Sequence, residues 1–398
     1  MTYGFTVLRP GDPLPVAGTS FLFLAGPVDR IPGHDGEVEL GWRRDALNLL
    51  ERRGYRGIVY LPVAQRNHEI GRAAAIAWER GALNRSDIVL FWVPRSPQLP
   101  GLLTNMEFGE WHQYGKCVLG FPPEASQMEY LEHVARERHV QVLTTIEDTI
   151  DAALRRLGDG ARRELGECDI PLHVWRTEQC QSWLKSKGAA GHRIDGARLL
   201  WYWGVGPDRS VPFAFALHVD VHVNGEDRNK SNEVLVSRPD SFHVVAFERR
   251  GDKITDARVV LVREFRSPGA TTDGFIHETP GGSTTDVLAA HAVAAAEFAE
   301  ETGLVIAPDR LTPVGSRQAS GTFSTHRLHA FSVELAAEEM RMLEADHVAR
   351  GIATAGERTY PEVVRFGDLL AQSDVDWANV GMIAAALHEF QGKGAGRG

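Results

Sequence analysis

The chain reads as an α/β protein: a doubly wound parallel sheet over its first third, then a second α/β domain built around a helix bearing three carboxylates. Three observations predict this. Short apolar runs alternate with helix-patterned segments between residues 21 and 121, the spacing of strand–helix–strand units with parallel strands. Residues 296–304 (AEFAEETGL), just after Glu278-Thr279-Pro280-Gly281-Gly282, set Glu297, Glu300 and Glu301 on one helix face. At 398 residues and 43% apolar content, the chain can bury two ordinary cores.

Taken in order, residues 21–27 (FLFLAGP) form a buried strand running into a tight Ala-Gly-Pro loop, with Arg30 close behind. Such a loop presents backbone amides to a ligand at the carboxyl edge of a parallel sheet. Helical apolar spacing follows at 42–53, a short strand at 58–62 and a helix at 73–83. Residues 87–93 (DIVLFWV) are a third buried strand, and 116–121 a fourth, after a segment at 101–110. Helical patterning covers 125–156, and Gly158-Asp159-Gly160 puts the end of the first domain near 160.

The stretch 173–223 carries Trp175, Trp183, Trp201 and Trp203, and 213–223 alternates like a strand. It reads as a small sheet packed on the second domain or as a lid over substrate, with its tryptophans in a core. Strands follow at 241–248 and 258–265. Gly281-Gly282 turns the chain tightly, Gly303 ends the acidic helix as a left-handed C′ residue, and 329–335 is a later strand. The expected division is 1–160, a connecting segment 161–235, and 236–392.

Over residues 18–145 the chain resembles the nucleoside 2-deoxyribosyltransferase-like family, on FLFLAGP at 21–27, Trp78-Glu79, DIVLFWVPR at 87–95, TNMEFG at 104–109 and Gly115-Lys116-Cys117-Val118. The resemblance implies a Rossmann-like sheet, with Glu107 as the nucleophile attacking C1′ of a sugar and Glu79 contacting the base. It also assigns Gly26, Pro27, Asp87, Thr104 and Asn105 to the substrate site. Cleaving an N-glycosidic bond needs one carboxylate to trap or stabilise an oxocarbenium-like sugar and one acid to protonate the departing base. Arg30 and Arg95 suit a 5′-phosphate, which favours a nucleotide over a nucleoside. Gly101 stands where base-shuttling transferases often carry an aspartate, which favours hydrolysis over transfer.

Residues 282–304 resemble the Nudix box at Gly282, Glu297, Glu300, Glu301, Gly303 and Leu304, with Leu288 in place of a glutamate and Ala296 in place of an arginine. This resemblance implies an α/β/α sandwich that binds Mg²⁺ (or Mn²⁺) through Gly282, Glu297, Glu300 and Glu301. Crowded carboxylates repel unless a cation sits among them, and oxygen donors suit these ions. The strands before the box and the loop at 317–322 resemble the ADP-ribose pyrophosphatase-like branch. The implied reaction is attack of water on a nucleoside diphosphate-linked substrate, with Glu300 and Glu301 catalytic, Arg266 on the substrate and Glu357 as a distal base.

Together these readings describe a bifunctional nucleotide-processing hydrolase. Two alternatives stay open: a base-exchanging deoxyribosyltransferase, or a nucleotide sensor with an inactive second domain. A net charge of −10 argues against a nucleic-acid groove, leaving a small-molecule nucleotide as the expected ligand. No apolar run reaches membrane-span length and the first residues lack a targeting pattern, so a cytoplasmic protein without a membrane partner is expected. Cys117, Cys168 and Cys180 lack metal-site spacing and read as reduced thiols. Both families suggest a homodimer.

Overall fold

The computed structural model describes residues 3–28, 40–64, 70–206, 209, 211–283, 290–346, 348–351 and 356–394. It divides into two compact units, Met1–Arg238 and Pro239–Gly398. Each is mixed α/β, and no helix among the described residues is long and apolar enough to cross a membrane.

The first unit opens with β1 (Thr6–Leu8), β2 (Ala17–Gly18), β3 (Phe21–Ala25), α1 (Trp42–Arg52), β4 (Ile58–Tyr60), α2 (Arg72–Arg85) and β5 (Ile88–Trp92). It continues through α3 (Leu102–Trp111), β6 (Cys117–Gly120), α4 (Glu129–Glu137), β7 (Val142–Leu143), α5 (Ile146–Leu157) and β8 (Arg163–Glu164). Six strands form one sheet in the order β1-β4-β3-β5-β6-β7, every pair parallel.

Burial on both faces explains the unbroken apolar runs of β3 and β5. Leu22, Leu24, Ile88 and Leu90 pack with Ala46 and Leu50 of α1 and Ile150 and Ala153 of α5. Phe21, Phe23, Val89 and Phe91 pack on the other face with Trp78 and Ala82 of α2, Phe108 of α3 and Leu131 of α4. From β3 the chain steps to β4 on one side, then crosses to β5 on the other. Strand order therefore reverses between β3 and β5, and a crevice opens at their carboxyl ends.

The helical patterning expected over 125–156 resolves into α4 and α5 with the two-residue β7 between them. His139 at φ +58° ends the first helical run, and two residues are too few to show a period of their own. Beyond 160 the first unit continues with α6 (Leu172–Trp175), α7 (Glu178–Ala189), β9 (Arg193–Val205), β10 (Val211–Val223) and β11 (Arg228–Ser237). The last three form an antiparallel sheet, order β11-β10-β9, packed on α6 and α7 through Val174, Cys180, Leu199, Phe215 and Leu217. Of the four tryptophans expected in a core, Trp175 and Trp183 are partly buried there, whereas Trp201 and Trp203 are 47% and 51% exposed. All three cysteines are free and buried.

The second unit holds β12 (Ser241–Glu248), β13 (Arg258–Phe265), β14 (Phe275–Glu278), β15 (Gly281–Ser283), α8 (Ala290–Thr302), β16 (Thr312–Gln318) and β17 (Arg327–Glu334). It ends with α9 (Ala337–Ala345), β18 (Thr359–Arg365), α10 (Phe366–Leu369) and α11 (Trp377–Gly394). Its seven-stranded sheet is mixed: β12 runs parallel to β17 and antiparallel to β13 and β15. Val244, Ala246 and Val260 pack against Ala294 and Phe298 of α8 and Met340 of α9. Val245, Phe247 and Leu261 face Phe366 of α10 and Ile383 and Leu387 of α11, so helices cover both sides.

Candidate functional site

In the first unit the crevice begins where β3 ends. A Cβ at Gly26 would stand 2.2 Å from the Trp92 carbonyl oxygen, so only glycine lets the ends of β3 and β5 approach this closely. Arg43, 1% exposed, pins the loop: its Nε, Nη1 and Nη2 donate to the carbonyls of Leu24, Pro27 and Gly26 at 3.3, 2.9 and 2.6 Å. Trp42 Nε1 adds a bond to the Pro27 carbonyl at 3.2 Å.

Glu79 of α2 and Glu107 of α3 meet beside this loop, their carboxyls hydrogen-bonded to each other. Burial, then the negative charge of Glu79, pushes Glu107 up to about 8, and burial raises Glu79 as well. Near neutral pH the two therefore share one proton and carry one negative charge. The Arg43 guanidinium acts in the opposite sense, favouring the ionised form of both. Beside the pair, Arg80 and Glu110 tie α2 to α3 through two bonds of 3.1 and 2.7 Å.

Arg95, 8% exposed, follows β5; it donates to the Gln127 carbonyl at 2.7 Å and to the side chain of Asn105, while its buried Nε has no hydrogen-bond partner. Thr104 is buried in the first turn of α3. These residues, with Gly26, Pro27, Glu79 and Glu107, lie at the carboxyl edge.

Asp87 does not. It precedes β5 at the opposite edge, wholly buried, accepting bonds from the backbone N–H of Phe21 and Leu172 (both 2.8 Å) and from both Nη atoms of Arg163. Its role here is to join β3, β5 and the segment after α5, not to touch a ligand in the crevice. Arg30 lies outside the described residues.

In the second unit, Glu297 and Glu301 project from α8 toward the Gly281-Gly282 turn. The Gly281 N–H donates to Glu301 Oε2 at 2.8 Å, and a Cβ on Gly282 would stand 2.4 Å from the Glu297 carboxyl carbon. Burial and then the charge of Glu297 push Glu301 up to about 8, even against that N–H bond. Burial followed by the charges of Glu300 and Glu357 raises Glu297. Glu300 is exposed on the outer side of the same helix.

Arg266, after β13, bridges Glu264 and Glu278 at 2.9 and 2.7 Å and helps hold the group together. Glu264 is 7% exposed and raised by burial. The Thr279 backbone and hydroxyl both donate to Asn379 Oδ1, at 2.8 and 2.7 Å, anchoring the turn to α11.

This donor set fits a hard divalent cation. It is all carboxylate oxygen, burial and the charge of neighbouring carboxylates raise both Glu297 and Glu301, and Gly282 leaves room for the Glu297 carboxyl. Among the described residues no three His, Cys, Asp or Glu side chains stand in a coordinating group. Ala296 is exposed beside them, and Leu288 lies outside the described residues.

Sequence reasoning missed Arg43 and Glu264. Both left a signal: Arg43 occupies the apolar stripe Arg43, Ala46, Leu47, Leu50 of α1, and Glu264 is a lone carboxylate in the apolar strand RVVLVREF. No protein-family model matches the chain, and no curated protein matches it.

Proposed function

We propose that the first unit cleaves the N-glycosidic bond of a nucleotide and that the second cleaves a nucleoside diphosphate-linked substrate with the help of Mg²⁺ or Mn²⁺. The observation carrying the first half is the Glu79–Glu107 pair at the strand-order reversal. One carboxylate and one carboxylic acid at neutral pH is the division this chemistry needs. Burial favours the shared proton on Glu107, so the reactive form is the one in which it has crossed the hydrogen bond to Glu79: ionised Glu107 then attacks or stabilises C1′ while that proton passes from Glu79 to the departing base. Glu79, then ionised, takes a proton from the water that completes hydrolysis.

Hydrogen-bonded carboxyls stand closer than the roughly 5–5.5 Å typical of retaining glycosidases, which favours the covalent route through Glu107. Arg95 supports a 5′-phosphate, since an anion at its unpartnered Nε would complete its hydrogen bonding.

The crowded carboxylates of α8, together with the Nudix-like spacing, support the second half. Glu297 and Glu301 would hold the cation, with Glu300 at its rim, and the cation when bound neutralises phosphate oxygens. Arg266 is placed to meet the substrate's charge once Glu264 and Glu278 release it, and Glu357 is the candidate base. Exposed Ala296, where the resembling family has arginine, favours one rival: a second unit that binds nucleotide without hydrolysing it.

A chromatographic screen against nucleoside monophosphates, nucleotide sugars and ADP-ribose, scoring base and phosphate products separately, tests all three. Base release is expected to fall at least ~10³-fold in Glu107→Ala, and metal-dependent phosphate products in Glu301→Gln. Wild-type turnover at the second unit would sink the sensor reading.

A further inference from the structure

A cavity of about 160 Å³ lies in the first unit at the amino edge of the parallel sheet, where residues 112–115 and Cys117 meet the tryptophan-bearing strand β9. This is the edge opposite the Glu79–Glu107 crevice. Its lining carries Arg138, Arg156 and Arg209, with His112 and His139, and no Asp or Glu among the described residues, in a chain of net charge −10. Trp201 and Trp203 form one wall, their rings stacked at 6.4 Å and 29°, with the Arg209 guanidinium 5.7 Å from the Trp203 ring.

The surroundings hold this arrangement in place. Arg156 Nη1 donates to the Cys117 carbonyl at 2.8 Å and its Nη2 to that of Gly115, and the Tyr202 ring packs under Gly115. The positive charge of Arg138 also offsets the dipole at the end of α4, but that role needs no tryptophans.

We infer that this cavity is a second nucleotide-binding site of the first unit. Its ligand is a nucleoside 5′-phosphate, with the base on Trp201 and Trp203 and the phosphate turned to Arg138, Arg156 and His139. Half-exposed indole faces favour a planar heterocycle, and a lining of one sign favours an anion. The volume is below the roughly 300–1,000 Å³ of a pocket that encloses a whole drug-sized ligand. One ring or one phosphate therefore enters, and the rest lies across the surface.

The test is tryptophan emission of the full chain, titrated with the four ribonucleoside 5′-monophosphates, their nucleosides and inorganic phosphate. At least one monophosphate is expected to quench saturably, with its nucleoside at least tenfold weaker and inorganic phosphate competing. Arg138→Ala should weaken binding at least tenfold, and Trp201→Phe with Trp203→Phe should remove the quenching. The titrations are run in the Glu107→Ala background, so that the proposed glycosidase does not consume the ligand, and the loss of binding in Arg138→Ala, at the opposite sheet edge, separates this site from the glycosidase crevice. Absence of saturable quenching, equal binding of nucleoside, or quenching that survives in the double variant overturns the inference; circular dichroism of each variant checks that it is folded.

Discussion

Arg43 carries two loads at once: it satisfies three carbonyls of the β3 loop, and its charge keeps Glu79 and Glu107 more acidic than burial alone would. Arg43→Leu should therefore cost about 3 kcal/mol of stability, at roughly 1–3 kcal/mol for each buried polar group left unsatisfied. It should also move the alkaline limb of the base-release profile to higher pH. Denaturant unfolding and a pH–rate profile read the two effects separately.

Glu301 offers a second residue-scale check. Its carboxyl titrates near 4.5 when unperturbed and near 8 in the fold, so between those values the folded chain binds more protons than the unfolded one. The stability it contributes is full below about pH 4.5 and is lost as pH rises through 8. Glu301→Gln should raise Tm relative to wild type at pH 8.5, by roughly 2–4 °C per kcal/mol relieved for a unit of this size, with little gain at pH 4.5. Wild type should gain Tm on adding Mg²⁺ and the variant should not.

Elements were legible where periodicity was strong. Helices α1 and α2 and strands β3, β5, β12 and β13 fall within a residue or two of their sequence spans, because burial on one or both faces writes their pattern directly. Strand β9 carries no clean alternation, since register shifts against β10, one of them at Leu200 just before the exposed tryptophans, break its period of two, and β7 is too short to show any. Convergence of side chains from different elements was legible only in part. Glu79 and Glu107 came from local motifs, but nothing in the order of residues revealed that Asp87 would be taken by Arg163.

At this same scale, the turn β15 and helix α8 depend on each other. The three atoms nearest a Cβ at Gly282 all belong to the flexible end of Glu297. Gly282→Ala should thus change stability by less than about 1 kcal/mol, within the range of ordinary surface substitutions, yet displace a cation donor. A Mg²⁺ affinity about tenfold weaker by calorimetry, at unchanged Tm without metal, is the expected result.

For the whole molecule, the glycines at 158 and 160 end a helix but not the first compact unit, which runs to Arg238. The sequence could not display the reason, because Arg163 lies beyond that punctuation and is the wholly buried partner of Asp87. A fragment 1–160 leaves Asp87 buried without its cation, a loss of roughly 3–5 kcal/mol. It should aggregate or melt well below the fragment 1–238, whereas 1–238 should unfold as one cooperative transition by calorimetry.

The most direct measurement is release of free base from nucleoside 5′-monophosphates between pH 5 and 10, by wild type and by Glu107→Ala. The expected result is release by wild type that declines as pH rises through about 8, where the pair loses its shared proton, and release at least ~10³-fold lower in the variant. Release that is the same in both proteins, or absent from wild type with every base, would contradict the assignment of the Glu79–Glu107 pair as a glycosidic centre.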